Sequence, residues 1–223
     1  ALTTDKYDLD NDGAKDNVYE ISNAGELHWF RDHVNSGNVN ANAVLLCDIT
    51  DNDGVLTGYG TVARDTSTFR KWIPIGNATN KYNGNFNGQG FTINGLFTDA
   101  ASVAYGGLFG YVGSSAVIEE ICIDYSFFKG GQYVGGIVGR NEGTVNNCYA
   151  LYTVVTGDAY VGGIVGYNNG MVKNCYNAGD VSAISHMGGF AGANNATISN
   201  CYYLLGAAAD SNGVVENGIG SAK

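Results

Sequence analysis

Basic residues are scarce in this chain: 11 Lys plus Arg stand against 21 Asp plus Glu among 223 residues, a formal net charge of -10. Such an acidic surface repels the phosphates of nucleic acid and of anionic membranes, so neither is expected as a partner. The same scarcity speaks against a β-helix lyase for acidic polysaccharides. That chemistry needs clustered bases to neutralise substrate carboxylates, and Arg140 and Lys173 occupy different positions of successive repeats. No apolar run approaches bilayer-spanning length, so membrane insertion is not expected, and the start, ALTTDK, lacks the regions of a signal peptide. With Ala1 first and ENGIGSAK last, the chain reads as an excised or processed piece of a parent protein with further domains, any export signal or wall anchor lying outside it.

Catalytic groupings are also missing. His28 and His33 fall on a predicted helix, His186 replaces a repeat tyrosine, and the Gly-rich strings are repeat turns rather than nucleotide fingerprints. A non-enzymatic protein is therefore expected. Five cysteines, an odd number without close pairing, weaken a disulfide reading.

What the chain does contain is a repeat. YVGGIVGRNEGTVNNCY from Tyr133, YVGGIVGYNNGMVKNCY from Tyr160 and HMGGFAGANNATISNCY from His186 align almost without gaps, and a diverged copy begins at Tyr105. Gly107, Gly136, Gly163 and Gly189 are 29, 27 and 26 apart, while Cys122, Cys148, Cys175 and Cys201 are 26, 27 and 26 apart. A unit of about 26 residues cannot bury an apolar face alone and must stack on its copies. Its Gly, Asn, Val, Ile and Tyr favour strands and turns over helix, and a propeller blade is longer, so the expected fold is all-β: a β-helix with about one coil per repeat, stacked about 4.8 Å apart.

Val145 and Cys148, Val172 and Cys175, and Ile198 and Cys201 are apolar pairs three apart, which a straight strand cannot bury on one face. A bend at Asn147, Asn174 and Asn200 resolves this, with stacked amides that satisfy the turn and each other. The tyrosine after each cysteine then points outward. The four aligned cysteines are expected to form an interior ladder with Cys47 in an earlier coil; inter-coil disulfides are the alternative, disfavoured by parallel side-chain vectors.

Upstream, Asn23 can cap a helix with Glu26 three residues on; Leu27, Phe30 and Val34 share one face, and Gly37 ends it. A short helix beside the first coil would cover the open solenoid end, with Trp29 helping. AVLLCDIT, WIPIG and YNGNFNGQGFTINGLF then read as irregular first coils, and Asp51 to Arg70 as a loop or inserted hairpin.

The repeats Gly107-Leu108-Phe109-Gly110, Gly136-Ile137-Val138-Gly139, Gly163-Ile164-Val165-Gly166 and Gly189-Phe190-Ala191-Gly192 resemble the GLUG motif of bacterial surface proteins, and the upstream segments resemble those that precede such repeats. The likeness runs from about Val18 to Leu204. It implies a right-handed parallel β-helix, extracellular, on the bacterial cell surface or secreted, as in adhesin-like proteins and beside the protease domain of some immunoglobulin A peptidases. The zinc-binding H-E-x-x-H signature of those peptidases is absent from this sequence. The expected organisation is an acidic leader over 1–17, a capping helix and irregular coils over 18–104, GLUG-type repeats over 105–205, and a tail or linker over 206–223.

Two candidate sites stand out. Asp8, Asp10, Asp12 and Asp16 form a D-x-D-x-D-G-x-x-D run in which alternate hard oxygen ligands could wrap calcium, the candidate cofactor. Tyr19 stands where an EF-hand loop has its final acid, and a solvated acidic leader is the plainer alternative; Asp51 and Asp53 are a weaker echo. Two aromatic ladders, Tyr149 with Tyr176 and Tyr202, and Tyr133 with Tyr160 and His186, could hold sugar rings or simply pack the surface. The function expected is a structural or adhesive surface module with a host or neighbouring-cell protein or glycan as partner. The alternatives are a glycan-binding module and an accessory domain that positions a neighbouring peptidase.

Overall fold

The computed structural model describes residues 2–4, 6–10 and 12–204; the tail or linker expected over 206–223 lies outside them. The chain is a β-solenoid of about 7 turns, with coils of about 27 residues and one short helix near its N-terminus. Three sheets enclose one core. The first contains Asn42–Leu45, Asn85–Asn87, Val117–Glu119, Thr144–Asn146, Met171–Lys173 and Thr197–Ser199, the second Phe109–Val112, Val138–Asn141, Val165–Asn168 and Ala191–Asn194. The third runs from Ile49–Thr50 through Thr92–Asn94, Cys122–Asp124, Tyr149–Gly162 and Tyr176–Gly188 to Tyr202–Tyr203. Successive coils pair in parallel, so equivalent residues of each repeat lie one above another.

Ile118, Val145, Val172 and Ile198 share one column, and Phe109, Val138, Val165 and Ala191 another. Each valine or isoleucine of these columns contributes about 1.5–3 kcal/mol when fully buried. Both apolar residues between the motif glycines are buried: Leu108 with Phe109, Ile137 with Val138, and Ile164 with Val165. The closing glycine of the motif admits no side chain, because a Cβ on Gly166 would lie 2.6 Å from the carbonyl carbon of Tyr133 in the preceding coil.

The expected bend is present. Asn147, Asn174 and Asn200 have φ of 52°, 55° and 51°, and Glu120 takes the same left-handed turn with 55°. The amides stack as anticipated in part: Asn200 Nδ2 donates to Asn174 Oδ1 at 3.3 Å, but Asn174 Nδ2 donates to Asn146 Oδ1 at 3.0 Å.

The cysteine ladder needs one correction. Tyr149 N donates to Ile121 O, Tyr176 N to Cys148 O and Tyr202 N to Cys175 O, so the inner column is Ile121, Cys148, Cys175 and Cys201. Cys122 instead pairs with Tyr149, in the outer column. Residues 121 and 148 are 27 apart, as are 148 and 175, so the 26-residue step from Cys122 to Cys148 crosses from the outer column to the inner. Cys47 is likewise no core residue; it is partly exposed, with its thiol directed at Ser22 O, while Ala43, Val44 and Leu45 are buried. All five cysteines are free.

The helix Ala24–Asn35 starts at Asn23, whose side chain accepts from Glu26 N at 3.0 Å, and Glu26 reaches back to Ser22 N at 2.7 Å. Leu27, Phe30 and Val34 are buried as expected, together with Arg31. Trp29 instead lies half exposed, stacked on His33 with centroids 4.8 Å apart. Trp72 is the buried indole, its Nε1 donating to Gly107 O at 3.1 Å. Between Asp51 and Arg70 a hairpin forms from Leu56–Gly58 and Thr61–Val62.

Candidate functional site

Three surface features carry chemistry: the acidic loop, a stacked aromatic ladder, and an outer tyrosine column with its flanking bend.

In the acidic loop, Asp8, Asp10 and Asp16 each bring a carboxylate oxygen within 4.8 Å of the others, while Asp12 lies outside that group. The loop is shaped by its own backbone. Asp8 Oδ2 accepts from Gly13 N at 3.1 Å, Asp16 Oδ2 from Leu9 N at 2.7 Å, and Asp12 Oδ1 from Ala14 N at 2.7 Å. Asp8 Oδ1 is buried without a partner. Oxygen donors in this number suit a hard cation such as calcium. Glu20 is engaged at the stem, accepting from Lys6 and Tyr7 at 3.1 Å each. At the weaker echo, Asp51 holds His28 Nε2 at 2.8 Å and Arg70 at 3.4 Å beneath the helix, while Asp53 is exposed.

The ladder before the glycine pairs is longer than the three residues predicted. Tyr105 stacks on Tyr133 at 5.5 Å, Tyr133 on Tyr160 at 5.2 Å and Tyr160 on His186 at 4.5 Å, with interplanar angles of 13°, 15° and 26°. Tyr133, Tyr160 and His186 have φ of 53°, 57° and 51°, in the left-handed region. Beside them, Arg140 lies over the rings of Tyr111 at 4.9 Å and Tyr167 at 5.4 Å, and Tyr167 meets Tyr133 and Tyr160 edge-on. Rings stacked on one another keep their inner faces occupied, leaving mainly edges and hydroxyls for a ligand.

Tyr149, Tyr176 and Tyr202 are in register, as predicted, but behave differently. Among the described residues none of their rings contacts another aromatic ring. Tyr149 is 41 % exposed and Tyr202 66 %. A depression of about 430 Å³ is lined by Gln89, Glu120, Asn147 and Tyr149 among others. A second, of about 310 Å³, is lined by Tyr149, Asn174, Cys175, Tyr176, Asn200 and Tyr202. Tyr149 is common to both. Burial pushes the Cys122 thiol at the edge of the first depression up to about 11, with Asp124 adding to the effect, so it is no ready nucleophile.

Two features escaped the sequence reading. Buried Asn141 and Asn168 form a polar ladder with Asn194. Asn141 Nδ2 donates to Asn168 Oδ1 and Asn168 Nδ2 to Asn194 Oδ1, both at 2.8 Å, while their own Oδ1 atoms accept from Gly143 N and Gly170 N. The repeated N-E-G and N-N-G strings could have signalled this, but Asn before Gly reads first as a turn. Second, Tyr125 stacks on Tyr152 at 5.2 Å, and Tyr59 at the hairpin tip meets Tyr152 edge-on at 5.0 Å. No repeat marks Tyr59, so only the fold brings it there.

The geometry defines a parallel β-solenoid with polar and aromatic ladders along its length. The chain is a GLUG-containing β-helix domain: the GLUG motif model matches residues 130–155 and 157–182. A protein of Evansella cellulosilytica named as a Gly-rich membrane protein is 31% identical over 139 residues, 61% of this chain and 15% of that protein. Halomucin of Haloquadratum walsbyi is 38% identical over 82 residues, 36% of this chain and 1% of that protein. The matched regions thus span only a small part of these relatives. A crystal structure of a protein named as an immunoglobulin A1 protease, from Bacteroides ovatus, shares the fold with a TM-score of 0.54 and 18% identity, over 89% of this chain and 71% of that one. No helix among the described residues is long and apolar enough to cross a membrane.

Proposed function

We propose that this domain is a non-catalytic platform of a bacterial cell-surface or secreted protein, a stiff spacer that presents long ordered faces to a host or neighbouring-cell partner. The observation that supports it most is the unbroken register of the coils from Phe86 through Ile118, Val145 and Val172 to Ile198, which makes one solid rod of the domain. The relatives named as a membrane protein and a halomucin are in keeping with exposure at a cell surface. An antibody against the domain should label intact cells of the producing organism, and external protease should remove that label. Unlabelled intact cells, with the protein recovered only after lysis, would contradict the proposal.

The fold shared with the Bacteroides protein favours a second role, positioning a neighbouring peptidase. An H-E-x-x-H segment next to the domain in its parent chain would support it.

The acidic loop is read as a calcium clamp on the N-terminal segment, with Asp8, Asp10 and Asp16 as ligands. The buried, unpartnered Asp8 Oδ1 supports this reading. Calcium should raise the melting temperature and Asp8→Asn should remove the rise; a melting curve indifferent to calcium and chelator would end it.

A further inference from the structure

The outer tyrosine column differs from the stacked ladder in what it leaves free. Tyr149, Tyr176 and Tyr202 recur once per coil along the solenoid axis, with no aromatic ring of the described residues against them. The bend beside them supplies Asn147, Asn174 and Asn200. Asn147 has no side-chain hydrogen bond among the described residues, and Asn200 engages Asn174 through Nδ2, leaving its carbonyl oxygen available. The two depressions share Tyr149 as a lining residue and follow one another across successive coils as a track. Its lining contains one carboxylate, Glu120, and no base.

Aromatic faces provide an apolar platform, and neighbouring amides can both donate to and accept from hydroxyls, the pairing that a sugar ring requires. Without a base in the track, and with a net charge of -10, a polyanion is repelled. Positions repeating at the coil spacing of about 4.8 Å fit an extended chain rather than a coiled one. We propose that this track binds a linear, uncharged, β-linked polysaccharide lying along the solenoid axis, its rings on Tyr149, Tyr176 and Tyr202 and its hydroxyls on the flanking asparagines.

The proposal rests on the platform reading but fails separately from it: surface labelling without sugar binding would leave the platform standing and remove the track. The test is affinity electrophoresis of the purified domain in gels containing hydroxyethylcellulose, xyloglucan, galactomannan or polygalacturonate. Retardation is expected in at least one neutral gel and not in polygalacturonate. Tyr149→Ala with Tyr176→Ala should raise the Kd at least about tenfold, whereas Tyr133→Ala with Tyr160→Ala, if folded by circular dichroism, should bind as before. Tyr176→Trp, which keeps an aromatic face, should retain binding. Should the first double variant not fold, Asn147→Ala with Tyr202→Ala, both at solvent-accessible side chains, is expected to weaken binding instead. No retardation in any neutral gel, preference for polygalacturonate, or unchanged binding in a folded Tyr149/Tyr176 or Asn147/Tyr202 variant would overturn the proposal.

Discussion

The first coils and the later ones solve the same packing problem with different side chains. Near the helix the core is aromatic: Phe30 meets Tyr82 at 6.2 Å and Phe86 at 5.9 Å, and Phe109 meets Tyr82 at 5.2 Å and Phe86 at 5.4 Å. From Val145 onward the corresponding space is filled by columns of valine, isoleucine and cysteine with an asparagine ladder. Coils that differ from their neighbours need large side chains shaped to one place. Identical coils can each contribute the same small side chain, and polar groups then find partners in the next layer.

Phe86→Ala should break the irregular half most severely, costing about 3–5 kcal/mol in denaturant-induced unfolding through the cavity left between Phe30 and Phe109. In the regular half Asn168→Ala should cost about 2–3 kcal/mol, because it strips the Gly170 N–H of its side-chain acceptor and removes one hydrogen bond each from the Asn141 amide and Asn194 Oδ1. Val172→Ala, which removes two methyl groups from a column, should cost about 1.5–2.5 kcal/mol. If Asn168→Ala proved neutral, the polar ladder would be ornament rather than structure.

These contrasts were unevenly legible in the sequence. The solenoid, its period, the capping helix and the asparagine bend follow from residue spacing because each repeats or carries a local signal, such as Asn23 with Glu26. The place of Cys122 did not, because Ile121-Cys122-Ile123 offers apolar residues to both columns and only hydrogen bonding to the next coil chooses between them. Both tyrosine columns were recognisable from spacing, but not that one would be closed by stacking and the other left open. That shows only in the ring geometry of the folded chain. The hairpin was visible as an insertion, yet its contact with Tyr152 joins residues 93 positions apart with no pattern between them.

Thiol chemistry sharpens the comparison without a large effect on stability. Cys148 and Cys175 are buried, and hydrogen bonding with Cys148 raises the Cys175 thiol far above the ordinary range. Iodoacetamide under native conditions should modify Cys47 and leave Cys148 and Cys175 untouched until the protein is denatured, as read by peptide mass spectrometry.

The smallest effect lies where the two halves meet, at Lys81 and Glu142, 2.8 Å apart. Partial burial opposes ionisation of Glu142, but Lys81 and the Tyr111 hydroxyl outweigh it and hold the carboxyl below its usual value. A depressed carboxylate stabilises the fold above its unfolded-state value, and that contribution disappears as pH falls through the folded one. Glu142→Gln should therefore cost about 0.5 kcal/mol at most at neutral pH, and its difference from the parent should vanish below the ordinary carboxylate range.

The stacking itself can be tested directly. Met171 and Thr197 are Cα partners on successive coils. Spin labels at Met171→Cys and Thr197→Cys, in a background with Cys47→Ser, Cys122→Ser and Cys201→Ser, should give a strongly broadened continuous-wave spectrum in the folded protein, since successive coils lie about 4.8 Å apart. A spectrum equal to the sum of the two singly labelled proteins would contradict a parallel β-helix in which each repeat lies directly on the last.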